Sequence, residues 1–420
     1  MMTTVGLSYL TEDEPGIGGT IKQRPEDFVV DELPLYEPIG RGDHLYLFVE
    51  KRRRLTTDVV RLFAEHFDVP WESIGYAGLK DKHAITRQWF SVEHVTEEKA
   101  HEFQNDHIQI LDSVRHTNKL KRGHLKGNRF RIYIRDVDAI AAVRATRIIN
   151  RLAKVGTPNF IGEQRFGYRH NNHLVGKHLL LNDLPGFLDE LLGKPIEGEA
   201  AINQQARQAY EAGDYAKALE LWPTVHRFER QALGPLSRGA TPKKAVRSID
   251  KPHRNFMVSA FQSAIFNQLL NDRLRANLLD QLVVGDIAIK HDTSGRFEVL
   301  DAAVEQPRCD RFEISPTGPM WGKEMMRAGG QVGQWEAEAL AVSHVTEEDL
   351  ASSPYGPTGA RRAFRMPIHE PQVSGGADEH GPYVFLAFEL PRGSFATVVL
   401  RELMKSATPE DASPESDLTG

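Results

Sequence analysis

Cysteine is nearly absent: Cys309 is the one thiol in 420 residues. A lone thiol excludes an internal disulfide and any cysteine cluster for zinc, and it fits a reducing compartment. Long apolar runs are missing too, since nothing approaches the roughly 18 consecutive apolar residues of a membrane span. The N-terminal stretch MMTTVGLSYLTEDEPG lacks the basic-then-apolar order of a signal peptide, so the cytoplasm is the expected compartment. There is no HExxH helix for zinc and no GxSxG elbow for a serine nucleophile. GIGG at 16 to 19 lacks the strand and helix framing of a phosphate loop and reads as a turn. His170, His173 and His178 cluster in RHNNHLVGKH with Glu163 nearby, but their spacing matches no ligand pattern, and no metal is expected.

What the chain has is enough apolar content, 40%, to bury a sizeable core in two or three domains. Its formal net charge of -6 argues against a polyanionic partner only if charge is spread evenly, and it is not. From Arg115 to Arg135 the run RHTNKLKRGHLKGNRFRIYIR holds eight Lys and Arg and no acid, and KRRR at 51 to 54 adds a second basic knot. The tail SATPEDASPESDLTG is acidic, Pro- and Ser-rich and free of aromatics, the composition of a disordered segment over 406–420.

The first third alternates strands with helices. HLYLFVE (44 to 50) sets Leu45, Leu47 and Val49 on one face and Tyr46 and Phe48 on the other, the pattern of a core strand. TTDVVRLFAEHF (56 to 67) carries Val59, Leu62, Phe63 and Phe67 at helical spacing behind the cap candidates Thr57 and Asp58. SIGYAG and ITRQWFSV, rich in β-branched and aromatic residues, flank Leu79 to Ala84, which makes Asp81 part of a loop mounted on two strands. RFRIYIR (129 to 135) alternates apolar Phe130, Ile132 and Ile134 with Arg129, Arg131, Tyr133 and Arg135; an arginine face predicts incomplete burial. A helix from about Val137 to Val155 ends at Gly156, where composition changes and a domain boundary is expected.

Beyond 156 the chain is more helical. INQQARQAYEAGDYAKALELWP (202 to 223) reads as a single helix-turn-helix unit, and FMVSAFQSAIFNQLLNDRL (256 to 274) as a core helix through Val258, Phe261, Ile265 and Leu269. Gly- and Pro-rich stretches at 353 to 359 and 371 to 382 predict loops, before YVFLAFEL (383 to 390) returns to strand periodicity. The two ends of the chain are expected to share a sheet.

Short stretches that pair a charge with an aromatic recur far apart: KQRPEDF (22 to 28), GLKDKH (78 to 83), KGNRF (126 to 130), GEQRFG (162 to 167) and GSFAT (393 to 397). With SAFQSAIFNQ (259 to 268), ISPTGPMWG (314 to 322) and LPRGSFATVVLREL (390 to 403), this ordered series resembles the D family of tRNA pseudouridine synthases, TruD and its relatives, from end to end.

The resemblance implies an α+β fold: a pseudouridine synthase catalytic domain with a mainly antiparallel sheet, built from 1–155 and 366–405, and an inserted α/β TRUD domain over 156–365. It implies that Asp81 is the nucleophile and Lys22 its cationic partner. A carboxylate with an ordinary pKa near 3.9 is ionised at neutral pH, and an adjacent cation keeps it so when a bound substrate excludes water. Phe28, Asn128, Phe130 and Phe395 match the positions around the target uracil, Phe130 standing where other pseudouridine synthases use tyrosine. Turning a base out of its stack costs a few kcal/mol, which stacking on an aromatic face can offset.

The activity implied is isomerisation of uridine to pseudouridine, at uridine 13 of tRNA, by attack at the sugar C1′ or the base C6. Substrate and product have the same atoms, so no cofactor is implied. Lys119, Lys121, Arg122 and Lys126 are candidate phosphate contacts beside the base pocket. The expected partner is tRNA, with no membrane and no obligatory protein partner, and the chain is expected to be a monomer. A noncatalytic tRNA-binding or RNA-chaperone protein on the same fold is the alternative, and a metal-dependent nuclease using His170 and His173 a remote third.

Overall fold

Six strands come from the first third of the chain: β1 (Phe28–Pro34), β2 (His44–Arg52), β3 (Gly75–Tyr76), β4 (Ile85–Glu93), β5 (Ile108–His116) and β6 (Leu125–Arg135). This is a computed structural model, and it describes residues 6–138 and 140–405. The tail expected to be disordered, 406–420, lies outside them. After β6 come the helix Ala141–Val155, β7 (Thr157–Pro158), β8 (Ile287–Lys290), β9 (Arg296–Glu298), β10 (Ile314–Met320), β11 (Ala360–Ala363), β12 (Arg365–Met366), β13 (His369–Asp378) and β14 (Gly381–Pro391).

The large sheet runs β13-β14-β6-β1-β4-β2-β5, with β3 added to β4, so both ends of the chain do share one sheet. Its pairings are antiparallel except that of β1 with β4. The alternation read from sequence sets its two-sided burial. Phe130, Ile132 and Ile134 pack with the helices Ala141–Val155 and Ala396–Met404, while Leu45, Leu47 and Val49 pack with Val59, Phe63 and Phe67 of the helix Thr56–Phe67.

Three local expectations are corrected. The helix Thr56–Phe67 is not capped by Thr57; the chain enters it at Leu55, whose amide donates to the Asp58 carboxylate at 2.9 Å. The next helix begins at Ala141 rather than near Val137, because the Asp138 carboxylate accepts the Ile140 amide in a turn that precedes it. Residues 371–382 form most of β13 and the tight turn into β14, not a loop. That hairpin edge is largely exposed and Gly-rich, so ladder hydrogen bonds do most of its ordering; Val373 packs on the core, and the ring of Tyr383 covers the cross-strand Gly376.

Between β7 and β12, which pair with each other, lie a helical layer and a four-stranded sheet in the order β11-β10-β8-β9. Its core is organised by the 25-residue helix Lys251–Arg275, where Val258, Phe261, Ile265 and Leu269 are buried as their spacing predicts. The helices Ala201–Glu211 and Tyr215–Leu221 form the helix-turn-helix unit.

Candidate active site and nucleic-acid interface

The GLKDKH loop leaves β3 and enters β4, and its main chain is fastened on several sides. The Lys80 amide donates to Thr56 Oγ1 at 3.0 Å, Thr56 Oγ1 donates to Gln88 Oε1 at 3.0 Å, and Gln88 Nε2 donates to the Gly78 carbonyl at 3.0 Å. Thr56 opens a helix and Gln88 sits inside β4, so the loop rests on two regular elements. Lys51, at the end of β2, is fully buried beneath it, with Nζ 2.8 Å from the Asp81 carbonyl oxygen.

On this support the side chain of Asp81 turns outward and remains 35% exposed. Its Oδ2 lies 2.6 Å from Lys22 Nζ, and its Oδ1 accepts the His83 amide at 2.8 Å. Burial pushes the Asp81 pKa up, but the charge and hydrogen bond of Lys22 together with the His83 amide outweigh it and hold the carboxyl below its usual range. Lys22 reaches this place from a residue with φ 58°, in the left-handed region that non-glycine residues rarely adopt, which aims its side chain across the entrance to β1. The same ammonium sits 5.0 Å from the centroid of the Phe28 ring.

Phe28 opens β1 and meets Phe130 of β6 edge-on, centroids 6.4 Å apart at 75°. Both rings are buried, and Phe130 stacks in turn on Phe388 of β14. Asn128 stands two residues before Phe130, opposite Glu32 of β1 and Leu390 of β14. Gly127 permits that approach, since a Cβ there would lie 2.2 Å from the Leu390 carbonyl oxygen. Phe395, four residues beyond the end of β14, caps the helix Ala396–Met404 and is 54% exposed. Lys22, Phe28, Asp81 and Phe130 are thus linked by side-chain contacts, whereas Phe395 follows β14 at the end of the sheet where Pro391 pairs with Gly127, beside Asn128 and away from the start of β1.

Sequence reasoning missed three members of this group. Lys80 points inward, with Nζ 2.7 Å from Glu32 Oε2 and 2.8 Å from Asn128 Oδ1, so it orients the amide of Asn128. Glu32 continues the alternation Phe28, Val30, Glu32, and Lys51 the alternation Leu45, Leu47, Val49, Lys51. A charged residue at an apolar position of a strand was the signal in both cases.

The basic run divides into two. Within β6 the arginines are neutralised by other strands: Arg129 by Glu389 and Glu370, Arg131 by Asp31, and Arg135 by Asp27 and Asp378. Arg129 and Arg131 stay partly exposed, as an arginine face predicts, whereas Arg135 is buried. In the loop before β6, Lys121 and Arg122 are exposed, as is Lys126 at its start, and among the described residues none has an ion-pair partner. Lys119 is half-buried and donates to the Glu72 carbonyl, and Arg122 donates to Tyr76 Oη at 2.7 Å while lying over its ring. The basic knot at 51 to 54 loses Lys51 to the interior and Arg52 to Glu50 and Glu26.

The histidines diverge. His173 is buried edge-on to Phe166, burial pushing its pKa down to about 4, and His178 Nδ1 bonds Asp183 Oδ2 at 2.8 Å. Among the described residues no group of three or more His, Cys, Asp or Glu could hold a metal ion. Among the described residues no helix is long and apolar enough to cross a membrane.

The mixed α+β fold with a mainly antiparallel sheet is that of the pseudouridine synthase class. The profile of the family described as "tRNA pseudouridine synthase D (TruD)" matches residues 4–403. A tRNA pseudouridine synthase D of Geotalea daltonii is 42% identical over 401 residues, covering 95% of this chain and 99% of the relative. That of Geobacter sulfurreducens is 41% identical over 400 residues, 94% and 96% of the two chains. A crystal structure described as a candidate tRNA pseudouridine synthase D of Methanosarcina mazei superposes with a TM-score of 0.84 at 27% identity, over 96% of this chain and 97% of that one. The chain belongs to the TruD family, isomerases that convert uridine to pseudouridine.

Proposed function

We propose that Asp81 is the nucleophile with which this isomerase converts uridine to pseudouridine in tRNA. The observation that carries the reading is the 2.6 Å contact between Lys22 Nζ and Asp81 Oδ2, formed by residues 59 apart in sequence beside the Phe28 ring. A carboxylate kept ionised by a fixed ammonium, yet a third exposed, suits attack on a bound nucleotide. Whether it adds at C1′ or at C6, the N1–C1′ bond breaks, the uracil turns, and a C5–C1′ bond forms. The proton on C5 is lost and N1 regains one, so atoms and electrons balance without an outside reactant.

Asn128, held by Lys80, presents its amide to the base edge, and the exposed ring of Phe395 offers a stacking face, a role that rests on the resemblance to the TruD family. Lys121, Arg122 and Lys126 are phosphate contacts, with Lys119 in a supporting place. The target is uridine 13, a reading that rests on the resemblance of the whole chain to the TruD family. The catalytic domain comprises 1–155 and 366–405 and the insert 156–365; the pairing of β7 with β12, where the chain leaves and returns, supports that division. The protein works in the cytoplasm as a monomer.

One measurement tests the central claim. Incubated with unmodified tRNA, the wild type forms pseudouridine and Asp81→Asn forms none while still binding tRNA. Pseudouridine from Asp81→Asn at the wild-type rate refutes the assignment, and no product from either protein favours a noncatalytic RNA chaperone. Mapping the modified position by sequence checks uridine 13.

A further inference from the structure

We infer that Lys51 is a positioning residue for the reaction: it fixes the main chain of residues 80 and 81 from beneath and so sets where the Asp81 carboxylate stands. The inference rests on the reading of Asp81 as nucleophile. Lys51 lies on the inward face of β2 after Leu45, Leu47 and Val49 and is 0% exposed. An apolar residue there would extend the core, and a buried ammonium costs stability unless its donors are met. Among the described residues no carboxylate comes within ion-pair distance of it.

Instead three carbonyl oxygens surround Nζ, those of Arg54 at 2.6 Å, Asp81 at 2.8 Å and Lys80 at 3.3 Å. The ammonium has three N–H donors, so the match of donors to acceptors is complete. Two acceptors are consecutive carbonyls of the reactive loop, and the third follows β2, so Lys51 ties the loop to the sheet at the residue that bears the carboxylate. Neither Thr56 nor Gln88 reaches that residue's main chain, because they hold residues 80 and 78.

A neutral amine keeps two donors for three carbonyls, which provides a readout that a purely structural lysine lacks. Burial pushes the Lys51 pKa down to about 7; the charges of Asp81 and Asp58 work against burial and that of Lys80 with it. These are the ionisable groups that face it.

The test uses full-length protein and unmodified tRNA, with single-turnover rates and tRNA dissociation constants measured for wild type, Lys51→Met and Asp81→Asn. We expect Lys51→Met to lower the rate about tenfold or more, the scale of a misplaced reacting group, with tRNA affinity within about twofold and cooperative unfolding retained. The wild-type rate should decline as pH rises through about 7, and that limb should be missing from Lys51→Met. Should Lys51→Met not fold, Lys51→Gln, which keeps two N–H donors without charge, reads the same split. A Lys51 variant with the wild-type rate, one that loses affinity and rate together, or one that retains the alkaline limb overturns the inference. If Asp81→Asn is inactive while Lys51→Met is fully active, this inference alone falls; if Asp81→Asn is active, the nucleophile assignment falls with it.

Discussion

Lys80 Nζ lies 2.7 Å from Glu32 Oε2, between side chains only 5% and 1% exposed, and the same ammonium reaches Asn128 Oδ1. Two neighbours in the GLKDKH loop therefore point in opposite directions, Asp81 toward solvent and Lys80 into the sheet. Removing one member of a buried pair leaves the other charge uncompensated, at a typical cost of about 3 to 5 kcal/mol. We expect Lys80→Met to lower stability on that scale in urea unfolding and to weaken use of tRNA by freeing Asn128. Lys80→Met with Glu32→Leu should recover much of the stability but not the activity. Full activity in that double variant would contradict an orienting role.

Lys22 governs the ionisation of Asp81. In Lys22→Met the opposing burial contribution remains while the ammonium is lost, so the Asp81 pKa rises. The acid limb of the single-turnover rate should move to higher pH with it. An acid limb in the same place in both proteins would mean that another group controls it. For folding the sign is that of a depressed carboxyl: the contribution of Asp81 is present above the unfolded value near 3.9 and is lost as pH falls through the lower folded value.

For Lys51 the sign is the reverse of a lysine that gains a partner. Its folded pKa of about 7 lies below the unfolded value of about 10.4, so between these the unfolded chain binds more protons and stability rises with pH. The difference in unfolding free energy between wild type and Lys51→Met should shift in favour of the wild type across that window, by on the order of a few kcal/mol. Parallel pH profiles of stability for the two proteins would count against a buried titrating ammonium.

Exposed and internally paired basic residues should behave differently toward tRNA. Replacing Lys121, Arg122 and Lys126 together should reduce the slope of log affinity against log salt by about 2 to 3, from loss of three phosphate contacts. Replacing Arg129 and Arg131, already matched by Glu389 and Asp31, should change it little. The reverse order of effects would move the RNA path onto β6.

The buried pair of Arg135 with Asp27 joins β6 to the turn before β1, through contacts of 2.9 and 2.7 Å. Arg135→Met should cost about 3 to 5 kcal/mol in urea unfolding, and adding Asp27→Leu should recover much of it. A loss of under about 1 kcal/mol, the range of surface pairs, would show that the pair is solvated in solution.

Much of the site was legible in the residues themselves. Alternation in HLYLFVE and RFRIYIR placed β2 and β6, and the strand patterns on either side of residues 79–84 placed Asp81 on a loop between them. Which lysine would meet that aspartate was not legible from periodicity, because Lys22 lies before β1 and the contact depends on the parallel pairing of β1 with β4. Resemblance to the TruD family supplied that pair. It did not single out Glu32, Lys80 or Lys51; for Glu32 and Lys51 the signal was a charge at a position the strand pattern reserves for apolar side chains, while Lys80, in a loop, carried none.

The sequence by itself determined the alternation that makes the strands, the helices that cover them, and the ordered motifs that define the family, because each depends on spacing along a short stretch of chain. Tertiary structure alone decided which charges face one another. Arg129, Arg131 and Arg135 form a run without acids in sequence yet are met by carboxylates brought across from β1, β13, β14 and the turn before β1. Electrostatic energy depends on distance through space, and strand pairing makes neighbours of residues that the chain keeps far apart.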